Sequence, residues 1–454
     1  MKKLIKKLLP EKLFLQYHRA KALIASAYYG HPTNKMIVIG ITGTKGKTSA
    51  GNFLWSILNS NGLKTGLTGT ANIRIGEQEI LNKYHMTMPG PFVLQKFFKQ
   101  MLTDGCQYCI VETTSEGVKQ YRHLGIAYDW LIFTNLTPEH LPSHGGSFEE
   151  YKKKKGELFA VLKNHNKIIM APASAKASAR QEKIKSLSII NQDSEHRDYF
   201  LNFTADEKIT YGLKSGDYLA TDIVGDENGV KFKVKNNNYE LNIVGAFNIL
   251  NALPAVIVGE KAGLTPAQIK TGLAKLNLIP GRMEKIELGQ DFTVIVDYAH
   301  EKESMTRAME TAEMIRDAAP RGEALRGKII VNLGAEGGGR DKAKRPQMGE
   351  IVGRRADYVI VSNVDPYEDD PTEIAEDIAK VAEQNGKKRD ENLFVILDRR
   401  AGIKKCLELA HAGDIVMITG KGAEQSITVD GITTPWDDRE VVREELRKIL
   451  KNTL

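Results

Sequence analysis

The sequence predicts an α/β protein with two successive α/β domains, the first built on a parallel sheet that carries a P-loop. Three observations lead there. From Met36 onward, short β-branched runs alternate with helix-compatible stretches, the pattern of βα units and a parallel sheet. Residues 39–49 read Ile-Gly-Ile-Thr-Gly-Thr-Lys-Gly-Lys-Thr-Ser, a β-rich run entering a glycine turn, and a helix-like segment, Ala50–Leu58, leaves it. Pro280–Gly281 then interrupts, and a second α/β alternation begins.

A chain of 454 residues is too long for one ordinary core. The boundaries read from it are an N-terminal extension (1–35), a nucleotide-binding α/β domain (36–280) and a smaller α/β domain (281–454). Strands are expected at Met36–Ile41, Cys109–Thr113, Trp130–Thr134 and Lys167–Ala171. A more polar stretch follows, with antiparallel strands expected near Lys208–Gly212, Tyr218–Val224 and Val230–Val234, the last two joined by a turn at Asp226–Gly229. In the second domain the expected strands are Phe292–Val296, Lys328–Leu333, Tyr358–Ser362, Leu393–Leu397 and Asp414–Thr419.

The net charge of +7 raises the question of nucleic acid. The first 30 residues hold seven Lys/Arg against the single Glu11, so the other 424 residues are nearly neutral. A nucleic-acid enzyme needs a basic face on its folded body, which argues against that partner. Residues 1–30 are amphipathic and basic; they pack on the body or make weak contact with an anionic membrane surface. Lys6 and Lys7 interrupt the apolar run that a secretory signal needs, and no run approaches the ~18 apolar residues of a membrane span. Cys106, Cys109 and Cys406 cannot form a disulfide framework and fit a reducing cytoplasm. The pair Cys106-x-x-Cys109 has no second Cys/His pair at zinc spacing and reads as core packing.

In the glycine turn, Gly43 and Gly46 free the backbone to bring its N–H groups to phosphate oxygens. The helix start adds unpaired donors and a positive dipole end. With Thr44, Lys45 and Ser49 completing the loop, Lys47 would neutralise the β/γ-phosphates and the Thr48 hydroxyl would serve Mg²⁺. The match is to Gly-x-x-Gly-Lys-Thr; Ile41 occupies the first glycine position of the longer form.

Further segments follow in order: Glu112-Thr-Thr-Ser-Glu116, Thr134-Asn-Leu-Thr-Pro-Glu-His-Leu-Pro-Ser-His-Gly145, Tyr151–Phe159, Gly245-Ala-Phe-Asn-Ile-Leu-Asn251, Pro280-Gly-Arg-Met-Glu284, Asp297-Tyr-Ala-His300, Gly339-Arg-Asp-Lys-Ala-Lys-Arg-Pro346, Gly420-Lys-Gly-Ala-Glu424 and Trp436-Asp-Asp-Arg-Glu440. With the P-loop they make the chain resemble the Mur ligases, and within them the MurE type. The resemblance implies a central ATPase domain and a C-terminal Rossmann-like domain. It implies an ADP-forming ligase of peptidoglycan precursor synthesis that activates a muropeptide carboxylate as an acyl phosphate and joins it to a free amino acid. A monomer using ATP and Mg²⁺ is expected.

Residue by residue, the resemblance implies that Glu112 and His140 bind the metal with Thr48, and that Lys155 is carbamylated and adds a negative group beside it. Lys47, Glu112, His140 and Lys155 thus form the implied catalytic set. Carbamylation needs a neutral amine, which burial and neighbouring lysines favour. Asn248 and Asn251 fall on the adenine side; Arg282 and Asp297 reach ATP from the second domain. Thr87, Ser115 and Arg122 match contacts to the muropeptide. Arg340, Asp365, Gly420 and Glu424 match contacts on the amino-acid side, where an arginine suits a carboxylate and Glu424 could hold a distal amine; His300 is a further implied substrate-binding residue.

The sequence departs from that pattern in four places. Glu139 stands where an Asp usually precedes the metal-binding His, and Ala423 replaces a His. Val364-Asp-Pro-Tyr367 aligns with the Asp-Asn-Pro-Arg motif that selects diaminopimelate, so that amino acid loses its expected arginine partner. Only ~35 residues precede the P-loop strand, where a MurE-type protein normally begins with a UDP-binding domain of about a hundred. Two alternatives therefore stand beside the leading reading: a related ligase on a non-UDP acceptor, akin to cyanophycin or folylpolyglutamate synthesis, and a nucleotide-binding partner subunit without catalysis.

Overall fold

The computed structural model describes residues 11–82, 84, 86–139, 141–171, 180–226, 228–318 and 327–452. They fall into two compact units. The first takes residues up to Asp222 with Phe232–Glu240 and Ile249–Leu276; the second takes Ile223–Lys231, Leu241–Asn248 and Asn277 onward.

In the first unit the strands are β1 (Ile37–Thr42), β2 (Thr65–Thr68), β3 (Asn72–Ile75), β4 (Gln78–Leu81), β5 (Tyr108–Glu112) and β6 (Trp130–Phe133). A hairpin of β7 (Lys167–Ala171) and β8 (Arg180–Ile184) follows, then β9 (Leu187–Asn191), β10 (Glu207–Gly212) and β11 (Tyr218–Leu219). Nine of them form one sheet in the order β11-β10-β9-β6-β1-β5-β2-β3-β4. β1 pairs parallel with both β5 and β6, placing Ile41 opposite Glu112 and Ile132. Val38, Cys109, Val111, Leu131 and Phe133 share one buried cluster with Phe98 and Met101. The alternate residues Ile39, Ile41, Ile110 and Ile132 are equally buried. With both faces covered, a parallel strand reads as a continuous apolar run. Cys106 and Cys109 are free, buried core residues.

Two strands differ from their sequence reading. Lys208–Gly212, expected antiparallel, runs parallel to β9, with Ile209 opposite Ile189, and to β11. Its alternating polarity reflects a position near the sheet edge, where one face meets water, and carries no information on direction. Lys167–Ala171 pairs antiparallel with β8 outside the main sheet. Lys167 sets its start: the ammonium donates to the carbonyls of Thr33 and Met36 and pairs with buried Asp129 at 2.7 Å.

Tyr218–Val224 breaks after β11. Its remainder is β12 (Thr221–Gly225), which with β13 (Val230–Val234) and β14 (Asn237–Leu241) forms a three-stranded sheet. The expected turn is present: Asp226 Oδ1 accepts from the Asn228 and Gly229 amides.

In the second unit β15 (Glu284–Lys285), β16 (Thr293–Asp297), β17 (Ile329–Leu333), β18 (Tyr358–Val361), β19 (Leu393–Val395) and β20 (Ile415–Thr419) lie in the order β15-β16-β20-β17-β18-β19. All pairs are parallel except β15–β16. A hairpin of β21 (Ser426–Val429) and β22 (Ile432–Pro435) follows. Helices Lys302–Ala318, Lys344–Arg355 and Pro371–Gln384 cover one face through Met309, Met348 and Ile378. Helices Arg399–Leu409 and Asp438–Asn452 cover the other through Ile403, Cys406 and Leu446. The two helices of that second face are tied by a buried ion pair. Arg399 reaches both Asp438 oxygens at 2.8 and 2.6 Å and donates to the Thr419 carbonyl at the end of β20 at 2.8 Å. This doubly wound arrangement puts the carboxyl ends of β16, β17, β18 and β20 on one edge, where such sheets bind ligands.

Candidate active site

β1 delivers the chain into the P-loop, and the helix Lys47–Asn59 receives it, with Gly46 as a left-handed N-cap at φ 84. A Cβ on Gly46 would collide with Asn251 Oδ1, so glycine is required where that asparagine packs. The loop is held from the end of β6. Asn135 accepts from the Lys45 amide at 2.8 Å, and its carbonyl accepts from the Thr44 amide at 2.9 Å. Thr134 donates to the Lys45 carbonyl at 2.6 Å. Thr44 Oγ1 lies 3.1 Å from the Tyr151 hydroxyl. Lys47 folds back on the loop, donating to the Gly43 and Thr44 carbonyls at 2.8 and 2.9 Å. Lys45 pairs with Glu139 at 3.0 Å. Ser49 is buried in the first turn of the helix.

Glu112 ends β5, beside the P-loop because β1 and β5 are neighbours. It is fully buried. Thr48 donates to its Oε2 at 3.1 Å; Thr70 donates its amide to Oε1 at 3.1 Å and its hydroxyl to Oε2 at 2.9 Å. Thr87 lies 2.8 Å from the Thr70 hydroxyl, so Thr48, Glu112, Thr70 and Thr87 form one polar chain leading out from the loop. Among the described residues no cluster of three His, Cys, Asp or Glu side chains is arranged around a metal. One carboxylate plus one threonine hydroxyl nonetheless fits Mg²⁺, a hard ion that keeps several waters and takes phosphate oxygens.

Of the four lysines in Lys152–Lys155, Lys155 alone is fully enclosed, at 2% exposed. The helix Phe148–Phe159 turns it inward with Tyr151, one turn earlier. Its Nζ donates to the Gly43 carbonyl at 2.8 Å and lies 4.7 Å from the centre of the Tyr151 ring. Burial pushes the amine well below the usual lysine range; Lys47 adds to that, and Glu139 opposes it. A lowered pKa favours the neutral amine, the form that reacts with carbon dioxide.

Ser115 and Arg122 follow β5, Ser115 at the start of the short helix Ser115–Lys119. Ser115 Oγ lies 3.0 Å from His144 Nε2, and the His144 and Tyr151 rings meet at 5.3 Å. Arg122 is engaged by the Met88 carbonyl and by Gln120 at 2.6 Å. His140 lies outside the described residues. Thr70, Asn135 and His144 were missed by sequence reading. His144 stands inside a recognised motif, while Thr70 is one threonine between two short strands with no pattern to flag it.

In the second unit the candidates gather at one sheet edge. Asp297, closing β16, accepts from the Met283 and Ala299 amides at 2.8 Å each. Burial raises its pKa and Arg282 opposes this. Arg282 stacks over the Tyr298 ring at 4.1 Å. His300 Nδ1 contacts the Tyr298 carbonyl at 2.6 Å. Asp365 and Glu424 both meet Lys421 at 2.7 Å. These carboxylates outweigh burial and keep Lys421 charged. Glu424 also accepts from the Tyr298 hydroxyl at 3.0 Å. The amine that faces Glu424 in this structure is Lys421. Burial would lower the Arg340 pKa, but nearby Glu336 and Tyr367 outweigh it and raise it. Gly420 takes φ 113, which lets the chain turn from β20 toward Lys421. Asn248 belongs to this unit and donates to the Val244 carbonyl at 2.8 Å.

Comparison with known proteins matches residues 41–259 to the Mur ligase middle domain and residues 281–422 to the Mur ligase glutamate ligase domain. A UDP-N-acetylmuramyl-tripeptide synthetase of Roseiflexus sp. (strain RS-1) is 36% identical, the alignment covering 95% of this chain and 82% of the relative. A UDP-N-acetylmuramoyl-L-alanyl-D-glutamate--2,6-diaminopimelate ligase of Geobacillus kaustophilus (strain HTA426) is 34% identical over 97% of this chain and 84% of its own length. A solved structure of a ligase of that name superposes with a TM-score of 0.61 at 25% identity, covering 95% of this chain and 83% of the other. Folylpolyglutamate synthase of Mycobacterium tuberculosis shares the fold, with a TM-score of 0.67 at 15% identity over 91% of this chain and 95% of its own.

Proposed function

This chain belongs to the Mur ligase family of ATP-dependent ligases, and from that premise we propose that it adds an amino acid to the terminal carboxylate of a UDP-N-acetylmuramoyl-peptide, in the manner of the MurE type. The carboxylate oxygen attacks the γ-phosphorus of ATP, the bond to ADP breaks, and an acyl phosphate forms. The amino group then attacks the acyl carbon, phosphate leaves with the carbon–oxygen electron pair, and the amine gives up a proton.

The carrying observation is the convergence of Lys47, Lys155 and Glu112 on the P-loop: both lysines reach the Gly43 carbonyl, and Glu112 accepts from Thr48. Two anions must meet for the first step, so positive charge must lie between them. Lys47 supplies one charge, fixed to the helix that starts at the loop. Glu112 and Thr48 would hold Mg²⁺, with His140 and a carbamylated Lys155 completing its surroundings; bound there, the ion neutralises phosphate charge. Thr70 holds the Glu112 carboxylate in place, its amide on Oε1 and its hydroxyl on the Oε2 that Thr48 also reaches. Asn251, packed on Gly46, borders the nucleotide. Ser115, Thr87 and Arg122 face the muropeptide, and Arg282, Asp297 and Asn248 serve the nucleotide from the second unit. His300, Arg340, Asp365, Gly420 and Glu424 form the amino-acid side. Tyr367, standing where an arginine would meet a distal carboxylate, argues against diaminopimelate. The three buried free thiols fit a reducing, cytoplasmic setting.

The test is ADP release by purified protein given ATP, Mg²⁺ and UDP-N-acetylmuramoyl-dipeptide, with and without each amino acid. Amino-acid-dependent release, with mass-spectrometric detection of the extended peptide, is the expected result. Release only with acceptors that lack UDP would move the activity to another polymer or peptide. ATP binding without turnover on any acceptor would leave a nucleotide-binding partner subunit.

A further inference from the structure

The helix Glu11–Tyr28 is docked along one side only. Ala22, Ala25 and Ser26 are buried, and Ser26 donates to the Gly125 carbonyl at 2.9 Å. The opposite side is bare and apolar. At about 100° per residue, Leu13, Tyr17, Ala20, Ile24, Ala27 and Tyr28 fall within about 100° of arc. Leu13, Tyr17, Ile24 and Tyr28 are 56–74% exposed, and Leu23 extends the strip. The Tyr28 ring meets that of Phe92, itself 36% exposed, at 6.1 Å, which carries the apolar surface onto the next helix. Such a strip on a soluble protein marks an interaction surface.

Charge identifies the occupant. Arg19 and Lys21 flank the strip, one on each side of the helix, where long side chains can lie over apolar surface and keep their cations in a polar layer. Six of the chain's seven net positive charges lie in residues 1–30. Two such segments repel each other, which disfavours a second copy of this chain as the cover. An anionic lipid surface attracts them. No helix among the described residues is long and apolar enough to cross a membrane. We propose that the helix Glu11–Tyr28 lies in the interface of an anionic bilayer, its Leu13–Tyr28 strip against the acyl chains and its basic residues among the headgroups. The ligase would then work at a membrane surface.

The test is co-sedimentation of the full chain with sucrose-loaded vesicles of phosphatidylcholine, with and without about 30 mol % phosphatidylglycerol. Binding to the anionic vesicles alone is expected, falling at least about threefold when salt is raised to about 0.5 M. The double variant Ile24→Glu/Tyr28→Glu should lose binding at least about tenfold, and Arg19→Glu/Lys21→Glu should weaken it. Arg19, Ile24 and Tyr28 are exposed and Lys21 is partly exposed, so melting temperature and ADP release in solution should stay unchanged. Leu13→Glu, on the same strip, provides an independent check. The proposal is overturned if the wild type ignores anionic vesicles, if binding survives Ile24→Glu/Tyr28→Glu, or if light scattering shows a dimer that this variant splits and no vesicle binding. Each of these readouts is independent of whether the ligase assignment holds.

Discussion

Lys47 and Lys155 donate to the same acceptor, the carbonyl of Gly43, each at 2.8 Å. One comes from the first turn of the P-loop helix and the other from a helix more than a hundred residues on. Two ammonium groups sharing one oxygen repel, so the more buried Lys155 yields its proton more easily.

For Lys47→Ala the expected loss in turnover is about a thousandfold, with ATP affinity also reduced, since a positioned charge at the transferring phosphoryl group is removed. Steady-state ADP release measures it. Turnover within a few-fold of wild type would remove Lys47 from the reaction.

Lys155→Ala should abolish activity, and millimolar short carboxylates should restore part of it by standing in for the carbamate. In wild type, ¹³C-bicarbonate should give a carbamate carbon resonance that the variant lacks. A wild-type rate indifferent to removal of dissolved carbon dioxide, with no such resonance, would rule the modification out.

Thr70 holds both oxygens of Glu112. Thr70→Val should raise the Mg²⁺ concentration needed for half-maximal rate about tenfold, as loss of an orienting partner does at other metal sites. Gly69→Ala should act in the same direction, because a Cβ there would collide with Glu112 Oε1. An unchanged Mg²⁺ requirement in both variants would detach Glu112 from the ion.

His123 is buried, and burial, with a smaller contribution from Lys154, lowers its pKa from 6.5 to about 4. Its Nδ1 has no hydrogen-bond partner among the described residues. The unfolded chain binds the proton more readily, so stability is intact above about pH 6.5 and falls as pH drops toward 4. The loss from this group amounts to at most about 3 kcal/mol. Urea unfolding between pH 7 and 4 should show that slope, and His123→Phe should flatten it.

The P-loop was legible because its signal is local: strand, glycine turn and helix occupy one stretch of chain. Glu112 was legible as a strand end, and parallel pairing of β5 with β1 places it beside Thr48. The direction of β10 was not legible. It depends on β9, whose residues pair with those 20 positions further on (Leu187 with Glu207), and pairing direction leaves little trace in composition. Lys155 shows the limit from the other side. Nothing in four consecutive lysines says which one turns inward; only the resemblance singled it out, and helix geometry around Tyr151 explains it.

The Arg399–Asp438 pair has a consequence for biosynthesis. Its two members are 39 residues apart. At about 5–20 residues added per second, a nascent chain carries that guanidinium without its counter-ion for roughly two to eight seconds. During that interval an unpaired cation cannot be enclosed at low cost, so the end of β20 stays accessible to chaperones and proteases. A chain that stops before Asp438 therefore leaves Arg399 at the end of β20 without its carboxylate partner.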